Sequence, residues 1–157
     1  MSHSQLAAKN AVQSRPHAKP VFFNPETLPW TQWAMPGTWF KLLSVHRASG
    51  GWTMLLKVDP GTVGPVHHHV GAIEGYLIGG EFGYGTDRGS RGWFLCEPPG
   101  AVHEPDTKEG LMMFATFFGP VTGFSADGTI AAVVDAETMY KLAKSNGAHA
   151  HIEWTDY

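Results

Sequence analysis

The stretch at positions 61–74 places two histidines at alternate positions, with a glutamate close behind. His67 and His69 are separated by one residue, so on a β-strand both side chains point to the same face. Glu74 follows five residues after His69. Imidazoles and a carboxylate are ligands that suit a divalent first-row metal. The stretch therefore predicts a metal site whose third nitrogen ligand comes from elsewhere in the chain, and His103 is the candidate.

Two glycine-framed motifs surround these histidines. The first comprises Gly61, His67, His69, Glu74 and Gly80, and the second comprises Gly92, Pro98, Gly100, His103 and Thr107. In order and spacing they resemble the two motifs of the RmlC-like cupin superfamily, although the first motif closes one place early and Thr107 replaces an asparagine. The resemblance implies an all-β, single-domain antiparallel jelly-roll (cupin) barrel. It also implies one divalent metal per chain inside the barrel, held by His67, His69, Glu74 and His103.

Composition limits the function classes. The 157 residues are 43% hydrophobic and 16% charged, with 19 glycines and 11 prolines, which indicates one globular, turn-rich domain. A formal net charge of −3 without a basic cluster argues against nucleic acid or a membrane surface as the partner. Cys96 is the only cysteine, so no intrachain disulfide forms. Because no apolar signal-like block begins the chain, we expect a cytoplasmic protein.

Local patterns predict the elements. Residues 1–20 are expected to be a flexible segment, and residues 21–157 the domain, with its barrel core at about 38–118. Alternating apolar residues in Gly51–Val58 predict a strand with Trp52 and Met54 facing inward. Residues 75–84 read as a hairpin around Gly79–Gly80, and residues 111–118 as a strand buried on both faces. A C-terminal helix is expected at about 135–146, since Asp135 can cap it and Gly147 can stop it.

A loop between prolines carries large apolar side chains. Trp30, Trp33 and Met35 lie there and are too apolar to remain in water. We expect this loop to cover one end of the domain or to meet a partner subunit. The chain is accordingly expected to be a homo-oligomer, a dimer or a tetramer.

Further residues have two possible roles. Glu97 is either a solvated glutamate at a strand end or an acid that orients His103 or a water on the metal. Cys96, next to it, should point the other way and be a buried, inert thiol. Four large side chains either line the pocket or belong to the plain core, and these are Met54, Tyr76, Phe114 and Phe118.

A closer resemblance concerns the second half of the chain. The run from Cys96 to His103, with residues 112–114, 119–121 and 127–128, resembles the small cupin enzymes that cleave acetylacetone or 2,4'-dihydroxyacetophenone. It implies an iron(II) dioxygenase acting on a small ketone with dioxygen, with manganese, nickel or zinc as alternative metals. Acetylacetone-cleaving enzymes are understood to use three histidines and no carboxylate at the position of Glu74, so this chain departs from their pattern there.

Two other function classes stay open. One is a metal-bound cupin that senses a ligand without catalysis, similar to the cupin half of some zinc-binding anti-sigma factors. The other is a metal-independent sugar-nucleotide epimerase, against which the full ligand set argues.

Overall fold

The computed structural model describes residues 22–152, and the predicted flexible segment 1–20 lies outside them. The described chain forms strands, a short 3-10 helix at Pro25–Thr27 and one α-helix, α1, at Ala136–Ser145. The strands are β1 (Thr31–Gln32), β2 (Thr38–His46), β3 (Gly51–Val58), β4 (His67–His69), β5 (Ile73–Tyr84), β6 (Asp87–Ser90), β7 (Phe94–Glu97), β8 (Val102–His103), β9 (Leu111–Phe117), β10 (Val121–Phe124) and β11 (Ile130–Val134).

The strands form two antiparallel sheets. The large sheet has the order β1-β2-β3-β9-β5-β6, with β7 also pairing with β5, and the small sheet has the order β11-β10-β4-β8. Strand β5 is long enough to pair with β9 on one side and with β7 and β6 in succession on the other. The result is the antiparallel jelly-roll with a C-terminal helix that the sequence predicts.

The core lies on the inner face of the large sheet. Trp52 and Met54 of β3 are fully buried and Leu56 is nearly so, which confirms the alternation predicted for this strand. Trp52 stacks on Phe117 of the neighbouring β9 with ring centroids 4.4 Å apart. Such pairs stabilise a sheet beyond the area that they bury.

The predicted hairpin at 75–84 is wrong. The segment is part of one continuous strand, β5, whose register against β9 shifts between Leu77 and Gly79. A shift of this kind is a β-bulge, which a glycine accommodates readily. Gly80 has φ +72°, and a Cβ there would collide with the carbonyl oxygen of Gly110. The two glycines therefore bend the strand instead of reversing it.

The expectation that β9 is buried on both faces is also wrong. Leu111, Met113, Ala115 and Phe117 are buried, whereas Phe114 between them is 42% exposed. The apolar run is thus an ordinary alternating strand, and two of its outward positions, Met112 and Phe114, also carry apolar side chains.

The proline-rich loop covers one end of the interior. Trp33 makes edge-to-face contacts with Trp52 and Phe117, at centroid distances of 6.5 and 6.1 Å. Met35 lines the internal cavity. This placement matches the first of the two roles predicted for the loop.

Helix α1 begins and ends where its capping residues predict. The Asp135 side chain accepts a hydrogen bond from the Thr138 backbone N–H at 2.8 Å, and Gly147 follows the helix with φ +68°. Met139 and Ala143 are buried against the domain. Across residues 22–152 we find no helix with the length and apolarity needed to cross a membrane.

Candidate metal centre

Strands β4 and β8 bring three histidines together. His67 lies directly opposite His103 in the antiparallel register of these strands. His69 is anchored beside them, because its backbone N–H donates to Ala101 O at 3.0 Å and its carbonyl accepts from Gly100 N at 2.8 Å. Gly100 has φ +88°, a conformation that glycine adopts at little cost, and it allows the turn that carries the chain from β7 to β8.

The ring nitrogens of the three histidines converge. His103 Nε2 lies 2.7 Å from His69 Nε2 and 3.1 Å from His67 Nε2. Two nitrogens bound at about 2.1 Å to one ion, with bonds near a right angle, lie about 3.0 Å apart. The observed separations therefore match those of nitrogens that share one metal ion.

Contacts with residues outside the cluster orient the rings of His67 and His103. His67 Nδ1 lies 2.8 Å from the carbonyl oxygen of Pro65, which can only accept, so Nδ1 donates and the lone pair of the neutral ring is on Nε2. The ring of His103 stacks on Tyr84, with centroids 4.4 Å apart and planes 12° from parallel. Contacts of this kind hold a metal-binding imidazole in its productive orientation.

The electrostatics keep the imidazoles neutral. Burial, with smaller repulsive contributions from the neighbouring histidines, lowers the pKa of His69 to about 3. Burial and the proximity of His67 lower the pKa of His103 to about 4, and burial also lowers the pKa of His67. At neutral pH the three rings therefore offer lone pairs to a cation without first losing a proton.

Glu97 lies at the end of β7, but its side chain is buried beside the histidine cluster and is not solvated. Its Oε2 is 3.1 Å from His69 Nε2 and 3.6 Å from His103 Nε2. This oxygen is buried and has no hydrogen-bond partner among the described residues. Burial raises the pKa of Glu97 to about 7. An unpartnered buried carboxylate oxygen beside three lone pairs is the arrangement that a bound cation would satisfy.

Glu74 does not join the histidines, which corrects the prediction that it is a ligand. Its side chain is exposed, and its neighbours across the sheet are Cys96 and Thr116. Ile73 is 3% exposed and faces the interior, so the next residue along β5 must face outward. The acid that lies at the cluster is Glu97, on the adjacent strand β7.

Cys96 and the four predicted pocket residues are placed differently from expectation. Cys96 does point away from Glu97, but it is exposed, so the prediction of a buried thiol is wrong. Met54 is core and does not line the cavity. The other three predicted lining residues lie on the exterior, and these are Tyr76 (51% exposed), Phe114 (42%) and Phe118 (48%).

The histidines and Glu97 line an apolar cavity of about 260 Å³ between the two sheets. Its walls include Leu56 and Phe117 from the large sheet and Val121 from the small sheet. Among the described lining residues, none is a lysine or an arginine. The cavity therefore suits a small, uncharged molecule.

A polar clamp holds the segment that follows His103. Arg88 Nε donates to Glu81 at 2.8 Å, and Arg88 Nη1 lies 2.8 Å from Asp106. Glu81 also accepts hydrogen bonds from the Thr107 hydroxyl and from the Lys108 backbone. Asp106 and Thr107 both line the cavity, so the clamp shapes its wall.

The sequence alone does not single out Tyr84 or this clamp. The pattern predicts a strand at Tyr84 but no role for its ring, because its stacking partner His103 is distant in sequence. The sequence contains one sign of the clamp, which is Thr107 at the position where the second cupin motif carries asparagine. Taken together, His67, His69 and His103 form a group that can hold a metal ion, with Glu97 beside it.

Comparison with solved structures shows the same fold. An RmlC-like cupin protein from Ralstonia eutropha gives a TM-score of 0.75 at 22% identity, covering 88% of this chain and 93% of that one. An acetylacetone dioxygenase from Acinetobacter johnsonii gives 0.73 at 17% identity, covering 85% and 96%. A chain of the Rhodobacter sphaeroides complex of SigE with the anti-sigma ChrR gives 0.51 at 22% identity, covering 74% and 67%. Identities this low establish the fold alone.

The sequence also matches a described family. A search among curated proteins gives no match. Residues 18–122 match the family described as the ChrR cupin-like domain, and this match includes both histidine motifs and the strands that carry them. Since it spans more than half of the chain, the protein belongs to the ChrR cupin-like domain family of cupins.

Proposed function

We propose that the protein is a metal-dependent dioxygenase that cleaves a carbon–carbon bond in a small diketone or hydroxyketone, with iron(II) as the metal. The observation that carries the proposal is the convergence of three neutral imidazole nitrogens and one buried carboxylate on the wall of an apolar cavity. His67, His69 and His103 would hold the ion. Three protein nitrogens leave positions on a first-row metal for oxygen ligands of a substrate.

The cavity selects the substrate class. Aliphatic and aromatic side chains dominate its walls, and a ketone of a few carbons fits a volume of about 260 Å³. A sugar nucleotide carries a diphosphate, which would find no lysine or arginine among the described lining residues. The same lining therefore argues against the epimerase alternative.

Glu97 is the group that would move a proton. Its Oε2 is buried and has no hydrogen-bond partner among the described residues, so this oxygen is free to accept a proton. Its Oε2 lies against the histidine nitrogens, so it would be close to a ketone whose oxygens occupy the same centre. Glu97 would then take the proton from the carbon between two carbonyl groups and leave an enolate in the cavity.

The bound metal would act as a Lewis acid toward the ketone oxygens and, as iron(II), would allow dioxygen to react at the same place. For a β-diketone the balance closes without another reductant. One carbon–carbon bond breaks, and both atoms of dioxygen enter the products, a carboxylic acid and an α-dicarbonyl compound. Dioxygen accepts four electrons, which the substrate supplies. The protein's part is to hold the ketone, exclude bulk water and move the proton at Glu97.

The test combines metal analysis with oxygen consumption. The protein is loaded anaerobically with iron(II), and oxygen uptake is measured with acetylacetone and with a panel of hydroxyketones. His69→Ala should lose both the metal and the activity. His68→Ala is the matched control, because His68 lies between the two ligands but faces Thr122 on the other side of β4, at 3.2 Å. An iron-loaded wild-type protein that consumes no oxygen with any of these ketones would refute the proposal.

The second candidate is a non-catalytic metal-bound sensor. It is favoured by the family match, whose description is that of the ChrR cupin-like domain, and by the fold similarity to a chain of the SigE–ChrR complex. A sensor would bind metal through the same histidines and respond to a ligand without turnover. A ligand-dependent rise in melting temperature without oxygen uptake or product would favour it over the dioxygenase.

A further inference from the structure

The small sheet places two positions with almost no side chain beside the metal ligands. His67 of β4 lies opposite His103 on one side and opposite Gly123 of β10 on the other. Gly123 in turn lies opposite Ala132 of β11. Directly opposite residues share one face of a sheet, and all four of these residues line the cavity. We call Gly123 and Ala132 the shelf, because they continue the row of ligands as a floor with little side chain.

Neither the backbone nor the packing requires a glycine at position 123. The φ angle of Gly123 is not positive, so other residues can adopt its backbone conformation. Apart from its neighbours in the chain, a Cβ added there would meet one atom within 4 Å, the Cβ of Ala132 at 3.9 Å. Gly64, the other glycine among the described lining residues, differs, because a Cβ there would lie 3.0 Å from Pro105. A glycine inside a strand weakens it and often marks a place that a ligand approaches closely.

The β-bulge next to Gly123 does not explain this glycine either. The register between β10 and β11 skips one residue there, which is Ala131 of β11. The extra residue of the bulge is thus on the neighbouring strand and not on β10. A bulge that needs a glycine has it in the left-handed region, and Gly123 is not there. The open space above Gly123 remains the feature that its lack of a side chain creates.

The shelf runs from the metal ligands to the edge of the small sheet. Neighbouring strands lie about 4.8 Å apart, so the two steps from His67 to Ala132 span roughly 10 Å. Ala132 is on the edge strand and is exposed. Val121 and Val134 form the adjacent row of lining residues. The surface along the shelf is therefore apolar and uncharged, and it continues well beyond the atoms that would bind the metal.

We infer that the shelf is a subsite for an apolar arm of the substrate, which is then a diketone or hydroxyketone with an extended alkyl or aryl substituent on one carbonyl. With the ketone oxygens at the metal, as in the proposed function on which this inference rests, the arm would lie across Gly123 toward Ala132. A substrate that carries only methyl groups would leave this apolar surface uncovered. Burial of a phenyl ring, or of a chain of similar size, strengthens binding by about tenfold or more.

Binding to the zinc-loaded protein tests the subsite without oxygen chemistry. Acetylacetone and benzoylacetone present the same two oxygens to a metal, but the second has a phenyl ring in place of one methyl group. Isothermal titration calorimetry of the zinc-loaded, full-length protein should give a dissociation constant for benzoylacetone that is lower by about tenfold or more. Elemental analysis checks that the zinc stays bound. Equal affinities in the wild type would overturn the inference.

Single variants locate the arm. Ala132→Leu fills the outer part of the shelf and should lower the preference for benzoylacetone by about tenfold, and Gly123→Val should lower it as well. The matched control is Ala131→Leu, which should keep the preference, because Ala131 is also exposed but is not among the described lining residues. Thermal unfolding and zinc content check that each variant is folded, and Ala132→Leu decides the question if Gly123→Val does not fold. A preference that survives in Ala132→Leu, or that Ala131→Leu removes equally, would place the arm elsewhere.

Oxygen uptake by the iron-loaded protein separates the subsite from the dioxygenase. If neither diketone is consumed, while the zinc-loaded protein prefers benzoylacetone and Ala132→Leu removes that preference, the dioxygenase is wrong and the subsite stands. If oxygen is consumed but the two diketones bind with equal affinity, the subsite is wrong and the dioxygenase stands.

Discussion

Replacing Glu97 by glutamine should stabilise the metal-free protein at alkaline pH. The carboxyl is buried, and burial raises its pKa from 4.5 to about 7. The folded state therefore binds this proton more tightly than the unfolded state, so the stability of the wild type falls as the pH rises from about 4.5 to about 7. A difference of this size corresponds to about 3 kcal/mol at 1.36 kcal/mol per pKa unit. Glutamine keeps the shape and cannot ionise, so Glu97→Gln avoids this loss.

The assay is urea unfolding of chelator-treated protein at mildly acidic and at alkaline pH. The free energies of unfolding of wild type and Glu97→Gln should be similar near pH 4.5, and the variant should be more stable by about 3 kcal/mol above pH 8. The lowered histidine pKa values destabilise the folded state below pH 6.5 in both proteins and therefore cancel in the comparison. Glu74→Gln is the control, because the same change at an exposed glutamate should give no such trend. A difference between wild type and Glu97→Gln that is constant with pH would refute the reasoning.

Three further outcomes are expected. Tyr84→Leu removes the ring that stacks on His103 and should weaken divalent-metal affinity by about 10–100-fold, whereas Tyr84→Phe keeps both the ring and the affinity. A competition titration with a coloured chelator measures both affinities. Equal losses in the two variants would exclude stacking as the cause. Glu74→Ala should retain the full metal content by elemental analysis, and loss of metal would return Glu74 to the ligand set. Met54→Ala opens a cavity in the core and should lower the free energy of urea unfolding by about 2–5 kcal/mol without changing metal stoichiometry. A smaller loss would mean that the core collapses to fill the space left by the Met54 side chain.

The histidine cluster could be predicted because it depends only on the alternation of side chains along one strand and on the pairing of that strand with one other strand. Alternation along β4 puts His67 and His69 on one face, and the second motif supplies His103 on a strand that pairs directly with β4. The acid was not predictable in the same way. The choice of Glu74 relied on motif spacing, whereas its position next to the inward Ile73 sends it outward. Which strand lies beside the cluster is a matter of long-range pairing, and this is what brings Glu97 there.

The pocket-lining residues were misassigned for a related reason. Tyr76 has the same parity as Glu74 along β5, so both face outward. Phe114 is expected inside because six of the seven residues of β9 are apolar, which hides the alternation from the sequence. An apolar residue on an outward position looks like core until the neighbouring strands are known. The same ambiguity applies to Phe94 of β7, which is 64% exposed although the sequence alone does not separate it from a buried phenylalanine.

The short ladder between β4 and β8 has a consequence for local opening of the fold. Strand β8 is an edge strand of the small sheet and pairs with β4 through only two residues. Segments with so few pairings open at a small fraction of the global unfolding free energy. An ion shared by His69 and His103 would join the two strands, and opening them would then require its release. The amide hydrogens of His69 and Gly100, which bond across this corner, should exchange with solvent much more slowly once metal is bound. Metal occupancy and the closure of this corner would then be a single equilibrium.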